Sequence, residues 1–176
     1  MRVTYYVACS LDGHIAQEDG SVSWLDDIGI SQEESGYDDF FLTVDALMMG
    51  RKTYESISGF GCWPYGNKPV WVCSSRDITP IEGANLQKPL PPSHVVEVAD
   101  NAGLTHVWVV GGGVLAASLM NDSLLTDIRV VQIPILLGSG IPLFNGLADL
   151  TRVHLKSCQT NTSGFCQLNY VIEQMN

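Results

Sequence analysis

Apolar, β-branched runs recur along the chain and predict strands over Val3–Ala8, Asp45–Met49, Pro69–Cys73, His106–Val110 and Asp127–Ile133. Several are nearly continuous apolar stretches, the pattern of strands covered on both faces. Two further runs, Arg152–Thr160 and Gly164–Glu173, flank the turn signal Asn161–Gly164 and predict a closing antiparallel hairpin. Helical spacing alternates with the strands. Tyr37, Phe40, Phe41, Val44 and Leu47 form one apolar stripe. Thr53–Ile57 is a short helical segment, and Ser93 is expected to cap a helix running to about Ala102. Val114–Met120 is an apolar helix that starts directly after three glycines. Strands alternating with helices and closed by a hairpin predict an α/β layer fold, a mostly parallel mixed sheet with an antiparallel edge. With no repeat, low-complexity tract or linker, residues 1–176 are expected to form one domain.

The composition supports a packed core, since 45% of the 176 residues are hydrophobic and only 16% are charged. The net charge of −10 disfavours nucleic acid and anionic membrane surfaces as partners. No apolar run approaches the roughly 18 residues of a membrane span. Asp12 and His14 stand where an export signal would stay apolar, so a cytoplasmic protein is expected. Five scattered cysteines without a CxxC pair fit a reducing compartment. Cys158 and Cys166 lie symmetrically about the hairpin turn and are expected as reduced cross-strand neighbours. The four histidines show no metal-ligand spacing, so no metal site is expected.

Five segments carry candidate chemistry. In Met49–Glu55 a buried strand ends at Gly50 and a helix begins with Arg51 and Lys52. Cations at a helix N-terminus oppose its dipole by about 0.3–1 kcal/mol each, unless an anion sits there. Free N–H groups, both cations and the Thr53 hydroxyl then converge on phosphate; the bland alternative is a solvated turn. Ser74, Ser75 and Arg76 follow the next strand, and Arg51, Lys52, Lys68 and Arg76 are four of only nine basic residues. Their clustering suggests neighbouring strand ends that share a polyanionic ligand. In Val109–Leu115 a strand runs through Gly111, Gly112 and Gly113 into the helix containing Val114 and Leu115. Three glycines exceed what a tight turn needs and favour close approach of a ligand, although the run is neither a GxGxxG fingerprint nor a P-loop. The Ser10–Ala16 segment reads as an Asp-Gly turn that could cover a site. Acids surround Trp24; helical geometry points Asp39 into solvent and puts Glu34 and Asp38 on a flank that could reach a pocket edge.

Taken in order, MGRKTYESI (49–57), VWVCSS (70–75) and VVGGGVLAASLM (109–120) resemble the nucleotide-binding segments of the dihydrofolate reductase superfamily. Ile133–Phe144 and Ser10–Ala16 are similar to the reductase domain of bifunctional riboflavin-biosynthesis deaminase-reductases, and no zinc-deaminase signature accompanies them. The resemblance implies a dihydrofolate reductase-like three-layer fold and an NADPH-dependent reductase acting on a pterin or ribosylamino-pyrimidine type of heterocycle. It implies that Ala8 and Ile15 border the nicotinamide, that Gly50, Arg51, Lys52 and Thr53 hold phosphates, and that Ser74, Ser75 and Arg76 meet the 2′-phosphate side. Gly111, Gly112 and Gly113 would pass under the pyrophosphate, with a cis peptide between Gly111 and Gly112. Trp24 would help close the site, and Asp38, Glu34 or a water would supply the proton. Where the folate enzymes fork a carboxylate with Arg, this chain has Lys68, which cannot form that planar fork. The family also implies a homodimer, with Gly138–Phe144 as a contact. Two competing readings are a nucleotide-binding protein without turnover and a purely structural dimer module, which predicts no nucleotide binding.

Overall fold

The structure, a computed structural model, describes residues 1–28 and 35–173. Its strands are β1 (Arg2–Ser10), β2 (His14–Ala16), β3 (Ala46–Gly50), β4 (Pro69–Cys73), β5 (Asn85–Leu86), β6 (His106–Gly111), β7 (Asp127–Ile133), β8 (Ile141–Pro142), β9 (Val153–Thr160) and β10 (Cys166–Ile172). The α-helices are α1 (Tyr37–Leu42), α2 (Arg51–Ser58), α3 (Pro92–Asn101) and α4 (Gly113–Asn121), and Ser23–Ile28 forms a 3-10 turn. Eight strands make one sheet in the order β5-β4-β3-β6-β1-β7-β10-β9. Pairing is parallel from β5 to β7 and antiparallel for β10 and β9. β2 and β8 pair separately.

Alternation along the strands gives the sheet two apolar faces. On β6, Val107 and Val109 pack with Val95 and Ala99 of α3 and with Leu115, Ala116 and Leu119 of α4. Trp108, between them, packs with Phe40 of α1 and with Tyr54 and Ile57 of α2 on the other face. Burying one such side chain contributes about 1.5–3 kcal/mol, so both helix pairs are held on by their apolar sides. The result is the expected three-layer α/β fold with its C-terminal hairpin.

Three local expectations are corrected. The Tyr37–Leu47 stripe is not one helix: α1 stops at Leu42, and Leu47 lies in β3. The Thr43 hydroxyl turns back onto the Phe40 carbonyl at 2.7 Å, and Asp45 Oδ2 accepts from the backbone N–H of Thr105 and His106, which draws the chain into the sheet. Ser93 does not cap α3. The helix starts at Pro92, with Pro91 in the capping position and no side-chain cap; a proline in the first turn has no N–H to satisfy. Cys158 faces Leu168 and Cys166 faces Thr160 in the hairpin register, so the two thiols are not opposite each other.

The Gly138–Phe144 segment is used within the chain. β8 pairs with β2, Leu143 N–H donates to Gly13 O at 2.9 Å, and the Tyr5 hydroxyl donates to Leu143 O at 3.0 Å. A Cβ on Gly140 would run into the Ala16 carbonyl, which explains the glycine there. β9, one edge strand of the large sheet, is exposed at nearly all of its residues.

Opposite the glycine-rich strand ends, His106 anchors the other end of the sheet. It is buried; its Nδ1 lies 3.0 Å from Thr43 O, an acceptor only, so Nδ1 carries the proton and Nε2 accepts from the Thr4 hydroxyl at 2.8 Å. Burial lowers the His106 pKa below its ordinary 6.5, helped by Arg2. The unfolded chain therefore binds this proton first as pH falls, and stability decreases from about pH 6.5 downward until the folded pKa is passed. Denaturation midpoints measured from pH 7.5 to 5 should show this decline. His106→Gln should lower stability overall and flatten the slope over that window; an unchanged slope would contradict the assignment.

Candidate functional site

The carboxyl ends of β1, β3, β4 and β6 open into a cavity of about 1830 Å³. Such an edge is where open α/β sheets bind ligands. Two helices begin there. α2 follows Gly50 and α4 follows Gly112, and neither has a side-chain cap, so both present first-turn N–H groups. Gly50 and Gly112 have ordinary backbone conformations, with φ of −75° and −96°. A Cβ on either would lie no closer than 3.8 Å to any neighbour. Contacts within the fold leave room for a Cβ at these two positions, and its absence keeps the backbone open to close approach by a ligand. Gly111 differs, since its φ of 149° excludes most side chains, and the peptide joining it to Gly112 is cis, as expected. Gly113 is sterically required, because a Cβ there would meet the Pro142 carbonyl.

The structure brings most of the candidate residues to this cavity. Ala8 and Ile15 line it, as do Gly50, Arg51, Lys52 and Thr53. Ser74 and Ser75 line it too, and so do Gly111, Gly112, Gly113, Val114 and Leu115. Two details differ from the sequence reading. The Arg51 guanidinium pairs with Glu55 at 2.5 Å, one helical turn on, so its charge is partly compensated. The Ser74 hydroxyl is engaged in its own turn, donating to Arg76 O and accepting from Arg76 N–H.

Other candidates are not brought together. Arg76 is exposed and does not line the cavity. Lys68 precedes β4, at the opposite end of the strand from the cradle. Its ammonium donates to Val44 O at 2.6 Å and lies 4.6 Å from the Phe41 ring centre, a structural role in place of a ligand contact. Asp38 is exposed on α1 and lies outside the cavity lining, because Tyr37 takes the inward position of that turn. Trp24 is a buried core residue that does not line the cavity. Glu34 lies outside the described residues.

The Ser10–Ala16 turn is held in place by Asp12. Its carboxylate accepts from Ser10 Oγ at 2.5 Å, Gly138 N–H at 2.7 Å and Leu137 N–H at 3.2 Å. The Ser10 hydroxyl, followed by the two backbone N–H groups, holds its pKa well below the usual carboxylate range. Asp12 thus ties the loop after β1 to the loop after β7 and sets Ile15 and Ala16 as cavity wall. The sequence signals a turn that could cover a site here, but not the Asp12 clamp that holds it.

Sequence reasoning also missed an aromatic lining. Tyr6, Tyr37, Tyr65 and Trp108 line the cavity beyond the glycine cradle. Trp108 is their hub: its ring centre is 5.3 Å from Tyr65, 5.8 Å from Tyr37 and 6.2 Å from Tyr6, and its Nε1–H donates to Tyr6 O at 3.0 Å. The period-2 pattern places Trp108 and Val110 on one face, but only the tertiary structure shows that this face opens to a cavity.

Comparison with known proteins places this geometry. A family model described as the RibD C-terminal domain matches residues 63–167. The uncharacterized protein YwjB of Bacillus subtilis (strain 168) is 34% identical over 172 residues, which is 97% of this chain and 97% of YwjB. A solved protein of Shewanella sp. PV-4, provisionally named for riboflavin biosynthesis, superposes with a TM-score of 0.86 at 27% identity, covering 99% of this chain and all of that one. Dihydrofolate reductase from Enterococcus faecalis, solved with NADP(H), shares the fold at a TM-score of 0.69 and 16% identity, covering 98% of this chain and 97% of its own. With more than half its residues matched by the family model and a 34% identical relative along nearly its whole length, the chain belongs to the RibD C-terminal domain family, on a dihydrofolate reductase-like fold.

Proposed function

We propose that this chain is an NADPH-dependent reductase that acts on a small heterocycle of the pterin or ribosylamino-pyrimidine type. The observation that carries the reading is the pair Gly50 and Gly112. Two glycines that their own backbone does not need stand at two uncapped helix N-termini, facing one cavity. A diphosphate fits that arrangement, since N–H groups and helix dipoles converge on it without side chains in the way. The cavity, at about 1830 Å³, exceeds the roughly 300–1,000 Å³ of a single small-ligand site and has room for a cofactor beside a substrate.

When bound, NADPH would supply the hydride. The protein's own part is to bind, orient and exclude water. The first-turn N–H groups of α2 and α4 would hold the phosphates, with Lys52 and Arg51 adding charge and Glu55 setting the Arg51 rotamer. Thr53 Oγ1 lies 3.6 Å from where a Gly111 Cβ would stand, and so flanks the same glycine run. Ser75 lines the cavity at the end of β4, on the side assigned to the 2′-phosphate. Ala8 and Ile15 would give the reacting ring a small apolar border. A water entering at the rim would deliver the proton; the carboxylates that line the cavity among the described residues, Glu18, Asp19, Asp26 and Glu55, are all exposed. Binding without turnover is separated from this reading by enzyme-dependent NADPH consumption with dihydrofolate or a pyrimidine substrate.

Gly50→Ala is the sharpest test. The melting temperature should stay within about 2 °C of the parent, as a shift under 1 kcal/mol implies for this size. NADPH affinity should fall at least tenfold, measured by calorimetry. A large loss of stability, or unchanged NADPH binding, would remove the main support. For Arg51→Ala, loss of a charged hydrogen bond of about 1.5–3 kcal/mol corresponds to roughly 10- to 150-fold weaker binding. A loss confined to NADPH assigns Arg51 to the 2′-phosphate, and an equal loss with NADH assigns it to the diphosphate. No loss with either cofactor contradicts the cradle.

A further inference from the structure

The cavity is larger than its glycine cradle, and the remainder has a distinct chemistry. Beyond the cradle its lining carries an aromatic cluster, Tyr6, Tyr37, Tyr65 and Trp108, among aliphatic residues such as Val110, Val131 and Ile133, with Glu18, Asp19 and Asp26 exposed at the rim. Among the described residues only Arg51 and Lys52 bring positive charge to the cavity lining, both from the cradle itself, and Arg51 is already paired with Glu55.

The other seven basic residues are accounted for elsewhere. Arg2, Arg129 and Lys156 line a separate cavity of about 600 Å³ against the C-terminal hairpin. Lys68 is spent on the Val44 carbonyl. Arg76, Lys88 and Arg152 are exposed and outside the lining. Residues 29–34, which lie outside the described residues, contain no Lys, Arg or His in the sequence. A phosphate or carboxylate on the second ligand would therefore meet acids and find no counter-ion, while the cradle cations serve the cofactor.

The aromatic lining also holds two hydroxyls to spare. The Tyr6 hydroxyl donates to Ser35 O at 3.0 Å, but among the described residues no protein group engages the Tyr37 or Tyr65 hydroxyl. Burial pushes the Tyr37 phenol up to about 12, followed by the neighbouring Tyr6 and Asp38, and burial raises that of Tyr65 as well. Both stay protonated near neutral pH and can donate to a ring carbonyl or ring nitrogen. Rigid aromatic edges and faces around Trp108 suit a flat ring.

We propose that the second ligand of this cavity is an uncharged planar heterocycle with ring acceptor atoms, carrying neither phosphate nor carboxylate, held by the Trp108 aromatic cluster and the Tyr37 and Tyr65 hydroxyls. This rests on the reductase reading above. It narrows that reading, because it excludes a phosphorylated ribosylamino-pyrimidine and a glutamylated folate as the preferred substrate.

The test starts from the intact protein saturated with NADP⁺, whose binding is first measured by calorimetry. Failure at that step sinks the reductase reading and leaves the charge argument without a second ligand, and so overturns both. With NADP⁺ bound, three matched pairs are titrated and read by tryptophan fluorescence and calorimetry: pterin against pterin-6-carboxylate, uridine against uridine 5′-phosphate, and inosine against inosine 5′-phosphate. At least one neutral member should bind, about tenfold or more tighter than its anionic partner, the scale expected of several like charges within a few ångströms in water. Asp19→Lys with Asp26→Lys should narrow the gap by rescuing the anionic member. Tyr37→Phe should weaken the neutral member about two- to tenfold and leave NADP⁺ affinity unchanged. Equal or tighter binding of the anionic members, or no binding of any neutral one while NADP⁺ binds, would overturn the proposal and leave the cofactor assignment standing.

Discussion

The arrangement depends on an electrostatic constraint at one edge of the sheet. Parallel strands must end together, and the helices that follow them must start together, so uncapped N–H groups and helix dipoles gather at the carboxyl edge. In this chain α2 and α4 start from glycines at strand ends that share the sheet through the pairing of β3 with β6. Concentrated positive potential is unfavourable without an anion, and the chain adds Arg51 and Lys52 to it. The rest of the site follows. α3 and α4 on one face and α1 and α2 on the other hold the strands in register, and the Asp12 clamp closes the wall between the loops after β1 and β7.

The two halves of the cavity are built by different means. The cradle half is backbone: glycines, peptide groups and helix ends, with few side chains required. The other half is side chains on the Trp108 face of the sheet, fixed by ring contacts and by the indole hydrogen bond to Tyr6. A backbone cradle constrains sequence to glycine at fixed spacing. A side-chain pocket can be rebuilt by changing a handful of residues, which is how one fold serves many substrates.

That division explains what was legible in the sequence. The buried parallel strands were read nearly to the residue, because their apolar runs are continuous and end in glycine or polar residues. Pro69–Cys73 and Asp127–Ile133 have the observed bounds. The cradle was legible because MGRKTYESI and VVGGGVLAASLM carry a local pattern. Where local and tertiary demands compete, the reading failed. Val44 and Leu47 continue the helical stripe of Tyr37 and Phe40 by spacing, yet Asp45 is needed across the sheet at Thr105 and His106 and the helix ends early. β2 and β8 are two or three residues long and pair across the chain, so no periodicity announces them. Helical spacing puts Asp38, like Glu34, on a flank that could reach the pocket, but on so short a helix a shift of one position makes Tyr37 the cavity-facing residue.

The claim on which the rest stands is that the two glycine-led helix ends hold a nicotinamide dinucleotide. Calorimetric titration of the intact protein with NADPH tests it most directly. The account predicts saturable binding of one NADPH per chain, with an affinity that weakens as salt is raised, since charge at Arg51 and Lys52 contributes. No detectable heat or competition by NADPH, NADP⁺ or NADH would contradict it.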